Sequence, residues 1–472
     1  MTEDFKLLIG GELVDGDADM EVIEPATGAP FMTVPCGSVR QAVQAIAAAK
    51  AAQPGWAALP LDARRGHLLA FADAIHQNAE ALTRMLVREQ GKPLAEAAGE
   101  IAFAEVFIRH FVTIDLPVEV LQDDDQRRVE VHRKPLGVVA AIMPWNFPVL
   151  LAAFKFPAAL LMGNTFILKP APTTPATSLM LGHLAKDIFP AGVFNVVTDM
   201  NDLGPTLTDH PDVAKISFTG SGATGKKVMA AAASTLKRVS LELGGNDAGI
   251  VLDDVDVATV APRIFSGAFM NAGQVCIAIK RVYAHSSIYD ALCDELAKLA
   301  NDAIVGDGLQ QGTQIGPVQN AAQFQKAKTF LESAHREGRV IAGGEVVEGG
   351  GYFIRPTIVC DVIDGAMIVD QEQFAPILPV IRFDDVEDAL ARANSSEYGL
   401  GGSVWSADHD RAYDLARRID SGMVWINQHL DFAPHIPFGG AKQSGIGMEL
   451  ATDGMLEFSQ TAVINISKEP VA

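Results

Sequence analysis

Residues 213–234 read VAKISFTGSGATGKKVMAAAAS. An apolar-alternating run breaks at glycines and continues as an alanine-rich segment. That order predicts a strand, a tight turn and a helix. Gly220, Gly222 and Gly225 spell G-x-G-x-x-G across the turn. A strand entering a helix this way presents backbone N–H groups and the positive end of the helix dipole, which together suit a phosphate. Three readings fit. A dinucleotide fingerprint calls for an acid about 20 residues on. Glu242 is near that distance but sits in ELGG, at the end of a strand of its own. A phosphate loop takes Gly220 to Lys226 as G-x-x-x-x-G-K, yet the next residue is Lys227 where magnesium needs Ser or Thr. The third reading is a plain strand-to-helix turn. All three share the same local fold.

Outward from this turn, short apolar runs alternate with helical ones. NTFILKP, GVFNVVTD and RVSLELGG read as further strands. A second series follows in KRVYAHSS, the helix through DALCDELAKLA, FIRPTIVC, ILPVIRF, GGSVWS and SGMVWIN. Strands alternating with helices predict doubly wound, Rossmann-like α/β domains with parallel sheets, here two of them. KLLIGGELV reads as a hairpin turning at Gly10-Gly11, and residues 38–110 read as helices opened by a serine cap. TAVINI reads as a terminal strand.

A chain of 472 residues is long enough for two or three domains, and no flexible linker divides it. Its net charge of −21 repels phosphate backbones, which excludes nucleic acid as a partner. The N-terminus has acids and no apolar leader, so we expect a cytoplasmic protein without a signal peptide. Residues 137–163, GVVAAIMPWNFPVLLAAFKFPAALLMG, are long enough to span a bilayer. Pro144, Asn146, Pro148, Lys155 and Pro157 argue instead for a buried strand, a tight turn and a buried helix.

The four cysteines are Cys36, Cys276, Cys293 and Cys360. They form no C-x-x-C and fit a reducing compartment, with no metal site implied. Cys276 stands in FMNAGQVCIAIKRV, between a polar and an apolar run. Packing is the ordinary fate of a lone cysteine, so its neighbours must decide its role.

Seven segments decide it. PWNFP (144–148), ILKPAPTTP (167–175), FTGSGATG (218–225), LELGGN (241–246), GQVCIA (273–278), EQFAPILPV (372–380) and PFGGAKQSGIG (437–447) occur in this order. Together they strongly resemble the aldehyde dehydrogenase superfamily, along nearly the whole chain. The resemblance implies NAD(P)-dependent, non-acylating oxidation of an aldehyde to its acid. It makes Cys276 the nucleophile, Glu242 the general base and Asn146 the side-chain oxyanion donor. It places Gly220, Ser221 and Gly225 at the cofactor pyrophosphate, Lys169 at the adenosine ribose and Glu372 with Phe374 at the nicotinamide ribose. Trp145, Pro172 and Leu243 complete the implied cofactor contacts.

The chemistry needs these residue types. A thiolate adds to the carbonyl, and a carboxyl in a partly apolar site has a raised pKa suited to taking a proton near neutrality. Preorganised donors meet the oxyanion. Pro172 departs from the relatives' K-P-x-E, whose glutamate pairs with the ribose hydroxyls and repels a 2′-phosphate. That departure removes the group that excludes NADP, but no arginine stands beside Lys169 to clamp a phosphate, so NAD is the expected cofactor, with NADP as a second. Asn246 replaces a common lysine after ELGG, with no consequence we can assign.

By position in the family, the resemblance makes Leu151, Phe154, Val275, Ile277 and Phe432 the pocket candidates, with Asp431 and His435 nearby. Their apolar and aromatic character favours an uncharged aldehyde. Rival readings are a coenzyme-A-acylating relative, which would not need Glu242 to activate water, and a non-catalytic binding protein of the same fold. The resemblance also implies three parts: a dinucleotide-binding domain over 1–121 and 139–241, a catalytic domain over 242–440, and an oligomerisation arm over 122–138 and 455–472. Arm exchange implies a homodimer or homotetramer.

Overall fold

The computed structural model describes residues 4–470. The few residues of the expected first domain and arm beyond these limits, and the very start of the chain read as lacking a signal peptide, lie outside the described residues.

The glycine-rich turn belongs to an eight-stranded sheet. Its five central strands are parallel and run, in spatial order, Phe194–Val196, Thr165–Lys169, Val138–Ile142, Val213–Thr219 and Arg238–Glu242. The first three in chain order step one way across the sheet, and the last two step the other way. The order therefore reverses between Val138–Ile142 and Val213–Thr219. In an open parallel sheet, ligands bind outside the carboxyl ends of the strands at such a reversal. The segments after those two strands begin with Met143 and Gly220.

The N-terminal hairpin extends this sheet through Leu7–Ile9 and Glu12–Val14. Its turn residues Gly10 and Gly11 have φ of 64° and 88°, which glycine alone adopts without cost. The helix Val39–Ala58 opens on Ser38 with a reciprocal capping box to Gln41. Three more helices, Leu61–Gln77, Ala79–Gln90 and Leu94–Phe111, complete the expected helical block.

A second sheet of seven strands runs Arg339–Ala342, Thr357–Cys360, Ile377–Phe383, Ile279–His285, Asp247–Val251, Gly401–Trp405 and Met423–Ile426. All neighbours but the first pair are parallel. A third, antiparallel sheet pairs Ser459–Ser467 with Arg127–Pro135 along their full lengths, and adds Glu119–Asp123. The hairpin Ala18–Glu24 with Ala29–Cys36 stands apart.

The long apolar run is a strand, a turn and a helix. All fourteen residues of the helix Pro148–Leu161 are buried, so it has no polar face. Pro148 sits in its first turn, where its missing N–H costs nothing. Pro157 lies inside the helix and does not end it. Among the described residues, no helix is long and apolar enough to cross a membrane.

Three expected boundaries fall inside strands. The third sheet begins at Glu119, so a division at 121/122 cuts the strand Glu119–Asp123, and one at 138/139 cuts Val138–Ile142 of the large sheet. Glu242 is the last residue of a strand in the first sheet, and Gly445–Ile446 returns to pair with it. A cut at 241/242 therefore divides a strand whose end carries a candidate site residue.

Candidate active site

A cleft of about 620 Å³ opens at the strand-order reversal. Trp145, Asn146, Gly220, Ser221, Glu242, Leu243, Cys276, Glu372 and Phe374 all line it. Nine of the residues named from sequence thus meet in one place, from five separate segments.

Cys276 differs from the other cysteines. Cys36, Cys293 and Cys360 are buried, whereas Cys276 is part-exposed, the one such residue in the stretch 271–280. The backbone upstream is unusual. Asn271, Ala272 and Gly273 have consecutive φ of 50°, 55° and 74°. A left-handed alanine costs about 1–2 kcal/mol, so the surroundings must hold it. Gln90 Nε2 donates to Asn271 Oδ1 at 3.0 Å, and the Asn271 N–H donates to Glu96 Oε2 at 3.0 Å. A side chain at Gly273 would come within 2.5 Å of the Ala375 carbonyl.

Asn146 is fixed from below. Its carbonyl accepts Lys92 Nζ at 2.8 Å and Asn271 Nδ2 at 3.1 Å. Lys92 also pairs with Glu100 at 2.5 Å, both side chains fully buried. The other Glu100 oxygen accepts the N–H groups of Val149 and Leu150, at the start of the buried helix. Breaking a buried pair costs about 3–5 kcal/mol, so the turn is held firmly. Asn146 Nδ2 donates one hydrogen to the Gln274 carbonyl at 3.0 Å, which leaves its second N–H for a ligand.

Glu242 ends its strand with both carboxyl oxygens buried and without a well-aligned donor; the nearby Cys276 thiol does not satisfy them. Burial, then the charge of Glu449, pushes its pKa up to about 8. Glu449 forms a buried ion pair with Lys155. Burial and the adjacent Glu242 carboxyl push the Cys276 thiol well up, while Lys280 opposes them. Lys280 is itself buried, and its Nζ donates to the carbonyls of Val275 at 2.9 Å and Cys276 at 2.5 Å.

The cofactor side also has a cradle. Ser221 caps the helix Gly222–Ala232 by accepting the Thr224 N–H, so the helix begins at two residues, Gly220 and Ser221, that line the cleft. A Cβ at Gly225 would lie 2.6 Å from the Leu243 side chain, whereas one at Gly222 would meet nothing within 4 Å. Only the outer two glycines of the three serve contacts of this kind. Glu372 accepts the Gly245 N–H at 3.0 Å and lies 3.5 Å from Lys280. The Trp145 and Phe374 rings meet edge to face at 5.4 Å. A helix N-terminus, a carboxylate and flanking aromatic rings fit a dinucleotide.

The remaining sequence-named residues are not part of this lining. Lys169 is buried against Asp199, and Pro172 follows it in the loop. Leu151, Phe154, Val275 and Ile277 are buried in one large apolar cluster, against which Phe432 and Cys276 pack. Phe154 stacks on Phe107 at 4.7 Å and meets Phe432 edge to face at 6.1 Å. Phe103 approaches Phe432 at 6.0 Å. Sequence reading missed Phe103 and Phe107, although their i, i+4 spacing places them on one helix face. It also missed Lys92, Glu100, Asp199, Lys280 and Glu449, for which no local pattern gives a signal.

Residues 13–464 match the model of the aldehyde dehydrogenase family. The chain belongs to this family. It is 40% identical to aldehyde dehydrogenase LUC3 of Fusarium sp over 467 residues, covering 98% of this chain and 99% of that one. It is 38% identical to the NADP(+) succinate-semialdehyde dehydrogenase GabD of Escherichia coli, covering 96% and 95%. The NAD+ complex of an aldehyde dehydrogenase from Bacillus cereus superposes with a TM-score of 0.96 at 33% identity, covering 98% and 97%. This aldehyde dehydrogenase is an NAD(P)-dependent oxidoreductase that converts an aldehyde to its acid.

Proposed function

We propose that the cleft works on an uncharged, apolar or aromatic aldehyde, with Cys276 as nucleophile, Glu242 as general base and Asn146 as oxyanion donor. The observation that carries this is the meeting of a part-exposed thiol, a buried carboxyl without a donor and an amide with a spare N–H in one cleft. The Cys276 sulfur bonds to the carbonyl carbon as its proton passes to the Glu242 carboxylate. The Asn146 Nδ2–H and the Cys276 backbone N–H meet the developing oxyanion. NAD(P), when bound, supplies the hydride acceptor that takes the carbon to the thioester level. Ser221 and the following helix N–H groups hold its phosphates, and Glu372 its nicotinamide ribose. Glu242 releases that proton to solvent and then takes one from the water that attacks the thioester; as the carbon–sulfur bond breaks, this proton returns to the departing sulfur and the Cys276 thiol is restored.

The aromatic group Phe103, Phe107, Phe154 and Phe432 supports an apolar substrate, since it contains no cation to pair with a carboxylate. Initial rates, followed by the near-ultraviolet absorbance of reduced cofactor, test this. Arene-bearing and medium-chain alkyl aldehydes are expected to exceed ω-carboxylated aldehydes in kcat/KM by about tenfold or more. A carboxylated aldehyde at the head of the panel would overturn the reading.

We further assign residues 4–118 and 138–242 to cofactor binding, 243–440 to the catalytic domain, and the third sheet to assembly with a second copy. In that sheet Val463 is 60% exposed and Leu121 59%, with Ile464 and Ile466 also exposed. Exposed apolar strands of this kind invite pairing with another chain. Substituting Val463 and Ile466 together by Asp is expected to yield monomers by size exclusion with light scattering. An unchanged oligomer would remove the arm from the interface. Four free cysteines support a reducing, cytoplasmic setting.

A further inference from the structure

The residues that end the five parallel strands of the first sheet are Ile142, Lys169, Val196, Thr219 and Glu242. Lys169 is the one base among them, at the edge where a dinucleotide binds. Its Nζ lies 2.6 Å from Asp199 Oδ1, with the lysine side chain 3% exposed and the aspartate fully buried. Asp199 follows the end of the neighbouring strand by three residues. Its other oxygen accepts the Leu203 N–H at 2.9 Å. The loop between is tied down: the Gly37 N–H donates to the Thr198 carbonyl at 2.9 Å, and Thr198 Oγ1 donates to the Pro35 carbonyl. Pro172, two residues past the Lys169–Pro170 bond, offers no side-chain acceptor or charge.

We infer that Asp199 sets the choice of cofactor by neutralising Lys169, so that this sheet edge receives the hydroxylated ribose of NAD and turns away the 2′-phosphate of NADP. The inference rests on the NAD(P)-dependent reading of the cleft. A 2′-phosphate carries close to two negative charges and needs an uncommitted cation. Here the lysine that ends the strand is already paired with a buried carboxylate that cannot leave for solvent. A ribose hydroxyl needs no net charge; it accepts from an ammonium and donates to an oxygen. A neutral pair thus serves the hydroxyl and opposes the phosphate, a repulsive element of the kind that specificity requires. Asp199 acts through Lys169 and is a positioning residue.

Calorimetric titration of the full-length protein with NAD and with NADP tests this without turnover. The unsubstituted protein is expected to bind NAD at least about tenfold more tightly than NADP. Asp199→Asn keeps an oxygen for the Leu203 N–H and frees the ammonium. It is expected to narrow the NAD-to-NADP ratio by about tenfold, chiefly through tighter NADP binding. Adding Lys169→Met to Asp199→Asn is expected to abolish that gain. Equal binding of the two cofactors by the unsubstituted protein overturns the inference and needs no variant. So does an Asp199→Asn protein, shown folded by its thermal melt, that shifts both affinities alike. Failure of the unsubstituted protein to bind either cofactor would instead strike at the assignment of the cleft itself.

Discussion

Replacing Cys276 by Ala is expected to abolish formation of reduced cofactor, lowering kcat by about 10⁴-fold or more, as loss of a nucleophile does elsewhere. The fold should survive, because Cys276 is part-exposed and its thiol satisfies neither oxygen of Glu242. Cofactor affinity measured by calorimetry should change by no more than a few-fold. Retained turnover in the Ala protein would return Cys276 to the role of a packing residue.

The same thiol should be a slow alkylation target in the free protein. Burial and the neighbouring carboxyl hold its pKa well above that of an ordinary thiol. Lys280 works against both from beneath, where its ammonium binds the Val275 and Cys276 carbonyls. Thiol activation therefore belongs to the moment when the aldehyde is present and Glu242 is free to accept the proton. This arrangement protects a reactive group between turnovers, and it makes Glu242 rather than Cys276 the residue that sets the pH response.

How far the sequence foretold this depends on the range of each interaction. The strand–turn–helix at Gly220, the hairpin at Gly10-Gly11 and the cap at Ser38 are written within a few residues, and each was legible. The buried helix Pro148–Leu161 was legible because a uniformly apolar run interrupted by Pro144, Asn146 and Pro148 cannot span a bilayer. The hairpin Ala18–Cys36 was not, because its half-exposed strands mix charges, prolines and apolar residues without clean alternation. The family motifs pointed to the residues that line the cleft. The supporting charges gave no such signal. Lys155 and Glu449 are 294 positions apart, and Lys92 reaches a carbonyl 54 positions away. Lys155 stands in a run read as a buried helix, but Lys92 carries the ordinary expectation of a solvated lysine, and only the fold reveals the partner of either. Phe103 and Phe107 of the helix Leu94–Phe111 were missed because phenylalanines on a helix read equally well as core.

Glu242→Gln is expected to separate the two halves of the reaction. The amide retains the shape of the carboxyl but accepts no proton, so steady-state turnover should fall by about 10²–10⁴-fold. Thiol addition and hydride loss need the base only once per cycle and can use solvent slowly. A single equivalent of reduced cofactor should therefore appear before turnover stalls, with acyl-Cys276 visible by intact mass. In the unsubstituted protein the working form is the carboxylate. Since burial and then Glu449 raise Glu242 to about 8, kcat should climb with pH through that value and level off above it. Stability should run the other way. Between the unfolded carboxyl's ordinary pKa of about 4.3 and about 8, the native state holds a proton that the unfolded state releases. Raising the pH through this window therefore lowers stability. Gln at this position has no charge to bury, so the Tm of Glu242→Gln should exceed that of the parent by more at pH 9 than at pH 5. Equal melting shifts at the two pH values, or a turnover profile flat through pH 8, would mean that another group carries the proton. The buried pair of Lys155 and Glu449 beside it would then be the next to test.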